Sequence, residues 1–144
     1  MMSNHCVYLG LGSNLGNREE NILRAVKKIY ELIGTVECQS ALFDTEPWGF
    51  SSENRFLNAV VRVKTTLSPR QLLETTKKIE KALGRRKKSQ TKNGRAVYHD
   101  RIIDIDILLY DNITVDEPDL KIPHPLMYER DFVMIPLQEV LDRE

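Results

Sequence analysis

The sequence predicts an α+β fold in one domain that spans residues 1–144. Its 144 residues, 41% of them hydrophobic, suit a single globular unit with one core. Apolar side chains recur at strand spacing in four segments and at helical spacing in two, in the order strand, helix, strand, strand, helix, strand. Beyond residue 110 three prolines interrupt the pattern, so we expect an irregular C-terminal extension with a short helix near 131–141.

The first strand and helix begin the chain. Residues 6–11, CVYLGL, form a short apolar strand. Asn17 is the predicted N-cap of the helix that follows, because Glu20 stands three residues later and can complete a capping box. Gly34 is expected to end this helix in a left-handed cap. The inward side chains at helical spacing are Ile22, Val26, Ile29 and Ile33.

Two strands come next. One is predicted over residues 36–44, and the other is FLNAVVRVKT at residues 56–65. The second alternates in polarity, which places every second side chain on the same face of a sheet. Its core side consists of Leu57, Ala59, Val61 and Val63. Its other side is mixed and consists of Phe56, Asn58, Val60, Arg62 and Lys64.

The second helix and the last strand complete the pattern. Ser68 and Gln71 form a capping box, Pro69 takes the first helical position where its missing amide costs nothing, and Gly84 closes the helix. The last strand, RIIDIDILLY, covers residues 101–110. The inward stripe of the helix is Leu72, Thr76, Ile79 and Leu83. This order of elements is the split βαβ arrangement of a ferredoxin-like βαββαβ sheet with helices on one face.

Two acids, Asp104 and Asp106, interrupt the apolar run of the last strand. Side chains at i and i+2 share a face, so both carboxylates point the same way, roughly 6 to 7 Å apart along the strand, on a face without helices. Like charges this close need a cation, which Arg101 or a divalent ion could supply, and Mg²⁺ typically takes one or two carboxylates. The alternative is a solvated acidic face paired with Arg or Lys. The residues expected in the core on the opposite face are Ile103, Ile105, Ile107 and Leu109.

The segment before these acids is strongly basic. Residues 85–101 contain seven Lys or Arg side chains and one acidic side chain, although the whole chain has a formal net charge of +0. Gly94 and several polar residues lie among them, which suits a lid that closes on an anion. Carboxylates for a metal beside cations for phosphate are the groups that phosphoryl or nucleotidyl transfer requires. The alternative is a solvated loop without a ligand.

A second substrate wall is suggested by Phe56 and Asn58, which share the mixed face of their strand. An aromatic ring can stack on a flat heterocycle, and an amide can donate and accept hydrogen bonds in its plane. The alternative is an exposed Phe beside an Asn that caps a turn.

Five sequence blocks, spread over nearly the whole chain, match one known family. They are LGLGSNLGNR at 9–18, TEPWG at 45–49, FLNAVV at 56–61, RIIDIDILLY at 101–110 and PHPLMYERDFVMIPL at 123–137. In these blocks the sequence resembles the 6-hydroxymethyl-7,8-dihydropterin pyrophosphokinases of folate biosynthesis. The resemblance implies transfer of the terminal pyrophosphoryl unit of ATP to the hydroxymethyl oxygen of the pterin, with release of AMP.

The resemblance also implies roles for individual residues. Asp104 and Asp106 match the pair that holds two Mg²⁺ ions on the triphosphate, and Arg85 and Arg101 would be catalytic with them. The pterin site would be formed by Thr45, Pro47, Trp48, Phe56, Asn58 and Phe132, with the two phenylalanines on either side of the ring. The nucleotide site would be formed by Lys77, Glu80, Arg85, Lys87, Tyr98, Arg101, Ile107, His124 and Arg130. For His124 a simple turn histidine between prolines is the alternative.

Two other classes of function stay open. One is a nucleic-acid-binding module on the same sheet topology, although the K/R-G-F/Y strand motif of such modules is absent from the sequence. The other is a regulatory small-molecule-binding domain without catalysis. The balanced charge gives no reason to expect nucleic acid or a membrane as a partner. Because the sequence shows neither a leader nor a long apolar segment, we expect a cytoplasmic protein. The resemblance implies ATP and the pterin as its partners, and we expect a monomer.

Overall fold

A computed structural model describes residues 4–46, 54–84 and 102–141, together with the backbone of residues 90–92 and 95–97. The strands are β1 (His5–Ser13), β2 (Gly34–Gln39), β3 (Phe43–Thr45), β4 (Phe56–Thr65), β5 (Gln90–Lys92), β6 (Arg95–Val97), β7 (Asp104–Tyr110), β8 (Val115–Glu117) and β9 (Leu120–Ile122). The helices are α1 (Arg18–Leu32), α2 (Pro69–Ala82) and α3 (Asp131–Leu141), with a 3-10 turn at Met127–Glu129. The strand predicted over 36–44 is divided into β2 and β3, whereas β4 has the predicted bounds.

The main sheet consists of five strands of the described chain, and its pairings are antiparallel. Its order is β2-β4-β1-β7, and the short β3 pairs with the start of β4. Because α1 follows β1 and α2 follows β4, the chain has the predicted ferredoxin-like order, with β3 as an additional strand. The α+β class is confirmed. Separate two-stranded sheets are formed by β5 with β6 and by β8 with β9.

Of the two predicted ends of α1, only the N-terminal one is confirmed. The Asn17 side chain accepts a hydrogen bond from the Glu20 amide at 3.1 Å, as expected for the N-cap. Gly34 does not form a left-handed cap, because it is already the first residue of β2. A Cβ built on Gly34 would lie 2.0 Å from the carbonyl oxygen of Lys64. Glycine is needed here for the close approach of β4, and the predicted cap was wrong.

The start of α2 follows the prediction closely. Ser68 Oγ accepts a hydrogen bond from the Gln71 amide at 3.2 Å, and the Ser68 amide donates to Gln71 Oε1 at 2.9 Å. Pro69 opens the helix, and Gly84 lies beyond its end with a φ of +114°. Leu72, Thr76 and Ile79 of the predicted stripe are buried, and Leu83 packs against the core. Glu80 is buried as well, which the stripe did not predict.

The face of the sheet under α1 and α2 is apolar. Side chains that are buried on this face alternate along each long strand, as the sequence pattern requires. Examples from β1, β4 and β7 are Leu9, Val61 and Ile105, which pack with Ile29 of α1 and Ile79 of α2 in one cluster. The predicted core sides of β4 and of residues 103–107 are confirmed.

A bulge in β7 changes the alternation near its end. The register between β1 and β7 shifts so that Leu108 is an extra residue on β7. Beyond this point Tyr110 joins the cluster under α1 and α2, whereas Leu109 packs against the cluster on the opposite face. The prediction that Leu109 lies in the core under the helices was therefore wrong.

The C-terminal extension is more regular than expected. The β8–β9 hairpin turns at Pro118 and Asp119, and its Leu120 and Ile122 are buried in the main core. The pattern VDE followed by LKI alternates around this turn, and could have predicted a hairpin. As predicted, α1 and α2 lie on one face, but α3 packs on the other, so the expectation that the face of the acids carries no helix was wrong. Three residues of α3 are buried with Val60 and Leu108 in the second cluster, namely Val133, Leu137 and Val140.

Candidate active site

The two acids predicted to bind a metal lie on β7, at the edge of the main sheet. Asp104 and Asp106 are half-buried, and they flank Ile105, which is buried in the core under the helices. Since the bulge lies beyond Ile107, alternation is intact at these positions, and both carboxylates occupy the face opposite α1 and α2. On that face α3 covers β4. The two acids therefore lie beside the apolar cluster under α3, on a face of the sheet that α3 covers only in part.

On the face of the acids, β1 has a glycine at the position between Asp104 and Asn58, so no side chain separates these two residues. Gly12 of β1 pairs with Asp104 on one side and with Asn58 on the other. A Cβ at Gly12 would lie 3.4 Å from Asn58 Oδ1 and 3.5 Å from a ring carbon of Phe56. Because adjacent strands are about 4.8 Å apart, the backbones of Asp104 and Asn58 are about 10 Å apart. The sheet therefore has a shallow trough between them.

Glu80 supports this strand from the side of α2. Its side chain is 6% exposed, and its Oε2 accepts a hydrogen bond from the Ile105 amide at 2.8 Å. Since β7 lies at the edge of the sheet that the described strands form, its outward amides have no neighbouring strand to bind there. Glu80 takes the place of that strand at the residue between the two acids, and so fixes the backbone that carries both carboxylates.

The electrostatic surroundings of Asp106 are unfavourable to its charge. Burial raises its pKa well above the ordinary value, and the neighbouring carboxylates of Asp104 and Glu80 raise it further, while Arg130 opposes them. Three carboxylates this close need positive charge. In the described parts of the chain, no group of three or more His, Cys, Asp or Glu could hold a metal ion by itself. The donor set, two hard carboxylates with open sides, fits Mg²⁺ that completes its shell with water and phosphate oxygens.

His124 faces the acids from a loop beside β7. Its amide donates to the Leu108 carbonyl at 3.1 Å, and its Nδ1 accepts from the Leu126 amide at 3.3 Å. Burial lowers the pKa of His124, and the charge of Arg130 lowers it further. The neutral ring with Nδ1 as acceptor carries its proton on Nε2, which lies 4.0 Å from Asp106 Oδ1. The loop therefore presents an N–H donor toward the site.

A cleft opens beside Asp106, between α2, β7 and the β8–β9 hairpin. Its volume is about 270 Å³. Its walls include Leu73 from α2, residues 105–107 from β7, the hairpin turn, and His124 with Pro125. Apolar walls with a few polar groups are typical of a small-molecule site. The cleft and the trough lie on opposite sides of the acid pair.

The far side of the trough is formed by β3 and β4. Asn58 is 6% exposed, and its Nδ2 donates to the Phe43 carbonyl at 3.2 Å and to Thr45 Oγ1 at 2.8 Å. These bonds fix the orientation of the amide and place its Oδ1 toward Gly12. Phe56, two residues earlier, is half-buried on the same face. The polar and aromatic groups that the sequence singled out are therefore close together.

An ion cluster supports β3 from outside. Asp44 accepts hydrogen bonds from Arg55 Nε at 2.7 Å and from Arg18 Nη2 at 3.1 Å. These bonds lower the pKa of Asp44. The cluster ties the start of α1 and the segment before β4 to the strand that carries Thr45. Sequence analysis did not identify it, because its members are far apart in the chain.

The predicted site residues fall into three sets. The first lies around the acid pair and consists of Asp104, Asp106, Glu80, Ile107, His124 and Arg130, with Lys77 near the hairpin turn through its effect on Asp119. The second consists of Thr45, Phe56 and Asn58, while Phe132 packs with the second cluster beneath the Arg130 guanidinium, 5.7 Å from the ring centroid. The third lies outside the described residues and consists of Pro47, Trp48, Arg85, Lys87, Tyr98 and Arg101.

Solved structures with the same fold place the chain in a class. Plasmodium falciparum HPPK-DHPS, wild type with pteroate, aligns with a TM-score of 0.71 over 94% of this chain and 38% of that chain, at 17% identity. A second HPPK-DHPS chain in complex with substrates gives a TM-score of 0.70 over 96% of this chain and 40% of that one, at 14% identity. This chain thus spans about two fifths of those longer chains. The chain therefore has the same α+β fold as part of each of these HPPK-DHPS chains.

The sequence comparisons identify the family. Residues 8–142 match the profile of 7,8-dihydro-6-hydroxymethylpterin-pyrophosphokinase (HPPK), and the chain belongs to this family. The 2-amino-4-hydroxy-6-hydroxymethyldihydropteridine pyrophosphokinase of Porphyromonas gingivalis is 48% identical over 135 residues, which cover 93% of this chain and 89% of the relative. The enzymes with the same name from Aquifex aeolicus and Bacillus subtilis are 42% and 38% identical, and cover 93% and 95% of this chain and 79% and 78% of the relatives. The chain is a pyrophosphokinase that performs pyrophosphoryl transfer in folate biosynthesis.

Proposed function

We propose that this enzyme transfers the terminal pyrophosphoryl unit of ATP to the hydroxymethyl oxygen of 6-hydroxymethyl-7,8-dihydropterin and releases AMP, with Mg²⁺ held by Asp104 and Asp106. The observation that carries this proposal is the position of the acid pair. The two carboxylates share one face of an edge strand, with the cleft on one side and the trough toward Asn58 on the other. A metal held there would lie between a nucleotide and an acceptor.

The charge balance around Asp106 supports a divalent cation. Burial and two nearby carboxylates raise the pKa of Asp106, and a bound cation would oppose that shift by favouring the ionised form. We expect two Mg²⁺ ions, which would neutralise the charge that develops on the phosphate oxygens. Glu80 keeps the ligand strand in place through its bond to Ile105. Because this mechanism depends mainly on positioning, the chain needs no dedicated general base.

The nucleotide would occupy the cleft with its phosphates toward the acids. His124 offers its Nε2 proton from one wall, and Arg130 adds positive charge near both His124 and Asp106. Lys77, Glu80 and Ile107 complete the described part of this surface. Arg85 and Arg101 are the proposed catalytic cations on the phosphates, with Lys87 and Tyr98 beside the nucleotide.

The pterin would occupy the trough. Its ring would stack on Phe56, with Phe132 on the other side, while Asn58 and Thr45 bind its polar edge. Asn58 supports this role because its amide nitrogen is already held by β3, which leaves its oxygen directed toward the trough. Pro47 and Trp48 would form the remaining wall.

The experiment that tests this function mixes the protein with ATP, Mg²⁺ and 6-hydroxymethyl-7,8-dihydropterin, and separates the nucleotides. We expect AMP and a pyrophosphorylated pterin in equal amounts. Omission of the pterin, or chelation of the metal, should abolish AMP formation. ADP as the nucleotide product would contradict the proposal, because it would indicate transfer of a single phosphoryl group.

The chain is further proposed to act as one domain and as a cytoplasmic monomer, without nucleic acid or a membrane as partner. In the part of the chain that the structure describes, no helix combines the length and the apolar character needed to cross a membrane. Gel filtration with light scattering would test the oligomeric state, and a mass of twice that of one chain would contradict it.

A further inference from the structure

An arginine outside the predicted site connects two walls of the cleft. Arg70 lies in the first turn of α2, one turn before Leu73, which lines the cleft. It donates to Asp119 Oδ2 at 2.8 Å and Oδ1 at 2.6 Å, and also to Glu117. These two acids flank Pro118 in the turn of the β8–β9 hairpin, and the turn forms the wall opposite α2. One guanidinium thus holds both sides of the hairpin turn against the helix.

We propose that Arg70 is a positioning residue for the nucleotide: it fixes the hairpin wall of the cleft and neutralises the two carboxylates of the turn beside the site that receives a polyphosphate. This inference rests on the proposed function, because it assumes that ATP occupies the cleft.

Arg70 offsets the negative charge of two carboxylates beside the cleft. Hydrogen bonds from Arg70 lower the pKa of Asp119 to about 2, so this acid is ionised at neutral pH. Asp119 itself lines the cleft, and Lys77 lies near enough to affect it. Without Arg70, the carboxylate of Asp119 in the wall, together with that of Glu117 behind it, would repel the incoming phosphates. A single exposed ion pair contributes little, but a forked guanidinium that joins two carboxylates is the favourable exception.

The rest of the hairpin does not depend on Arg70 for its folding. Leu120 and Ile122 of β9 are buried in the main core, and the β8–β9 pairing runs from Val115↔Ile122 to Glu117↔Leu120. Removal of the Arg70 charge should therefore release only the turn. This permits a functional test in a folded enzyme.

The test is steady-state kinetics of Arg70→Gln, with ATP and the pterin varied in turn. We expect the KM for ATP to rise about three- to tenfold, with kcat within about twofold and the KM for the pterin unchanged. Arg70→Lys keeps the charge but cannot fork, and should give an intermediate KM. Adding Glu117→Gln and Asp119→Asn to Arg70→Gln should bring the KM for ATP back toward the wild-type value, a rescue that a merely structural role would not give.

The matched control is Arg24→Gln, which breaks an exposed bond to Glu20 of 2.7 Å on α1, away from the cleft. It should leave both KM values unchanged. An unchanged KM for ATP in Arg70→Gln, an equal loss for both substrates, or no rescue by the added substitutions would overturn the inference. Wild-type enzyme that forms no AMP would contradict the proposed function instead, so the two failures are distinguishable.

Discussion

The two faces of the main sheet are built from alternate residues of the same strands, but they serve different purposes. Under α1 and α2 the face is mainly apolar, with residues such as Leu9 and Val61 fully buried. On the other face α3 covers Val60 and Leu108, and the remainder carries Asp104, Asp106 and Asn58. Because adjacent residues face opposite ways, single substitutions one position apart should separate stability from activity.

The largest expected effect comes from the acid pair. Asp104→Ala or Asp106→Ala should lower kcat by orders of magnitude, because each removes a proposed metal ligand, and should leave the fold intact. The matched change on the opposite face is Ile105→Ala, which should cost about 2–5 kcal/mol of unfolding free energy by leaving a cavity. Kinetics and urea unfolding measure the two effects. Global unfolding of either Asp variant would contradict the comparison.

The next effect concerns the trough. Phe56→Ala should weaken pterin binding about 10- to 100-fold, since stacking on an aromatic ring contributes about 1–3 kcal/mol, and should change ATP binding little. Its neighbour Leu57 is 6% exposed under the helices, so Leu57→Ala should lower stability instead. Calorimetric titration with each substrate checks the first point. Equal losses for pterin and ATP would exclude the stacking role.

Glu80 is an exception to the difference between the two faces, because it is a carboxylate buried on the mainly apolar side. Glu80→Ala leaves the Ile105 amide without its acceptor and should lower the unfolding free energy by about 1–3 kcal/mol. Glu80→Gln retains an acceptor oxygen and should lose less. Urea unfolding of both variants measures the difference. If the two lose the same amount, the hydrogen bond to the strand is not what Glu80 contributes.

The smallest effect is a pH-dependent change in thermal stability. The pKa of Asp106 is raised in the folded chain, so the unfolded chain releases this proton first as pH rises, and folding stability falls. Asp106→Asn should therefore raise the Tm of the ligand-free enzyme by a few degrees at pH 7, and the gain should disappear as the pH approaches about 4.

A control with the opposite sign is available for this measurement. Lys121 lowers the pKa of the exposed Asp116, whose charge is thus favoured by folding. Asp116→Asn should leave the Tm unchanged or lower it slightly at pH 7. Thermal unfolding at several pH values compares the two variants. A lower Tm for Asp106→Asn at pH 7 would contradict the proposed crowding of charge.

Local patterns predicted much of this molecule. The caps at Asn17 and Ser68, the bounds of β4 and the shared face of the two acids follow from spacing within a few residues. The bulge at Leu108 could not be predicted, because residues 107–110 are all apolar and their polarity does not show which of them faces which side of the sheet. Gly34 was misassigned because the close approach of β4 involves a residue distant in the chain.

In the candidate site, the residues that would contact a ligand were easier to predict than the hydrogen bonds that hold the surrounding elements in place. The acids, Phe56 and Asn58 were identified because polar or aromatic residues stand out in an apolar strand. The Glu80 bond to Ile105 spans 25 residues, and Arg70 reaches Asp119 over 49. Such contacts depend on how the elements pack, which one sequence does not specify.

The most direct test of the central claim counts metal ions at the acid pair. The enzyme would be mixed with an ATP analogue that has a methylene group between the α and β phosphorus atoms, and Mn²⁺ would be titrated in and followed by electron paramagnetic resonance. We predict two bound ions per chain in the wild type, and a loss of tight binding when both Asp104 and Asp106 are replaced by Asn. Equal stoichiometry and affinity in the two proteins would contradict the account.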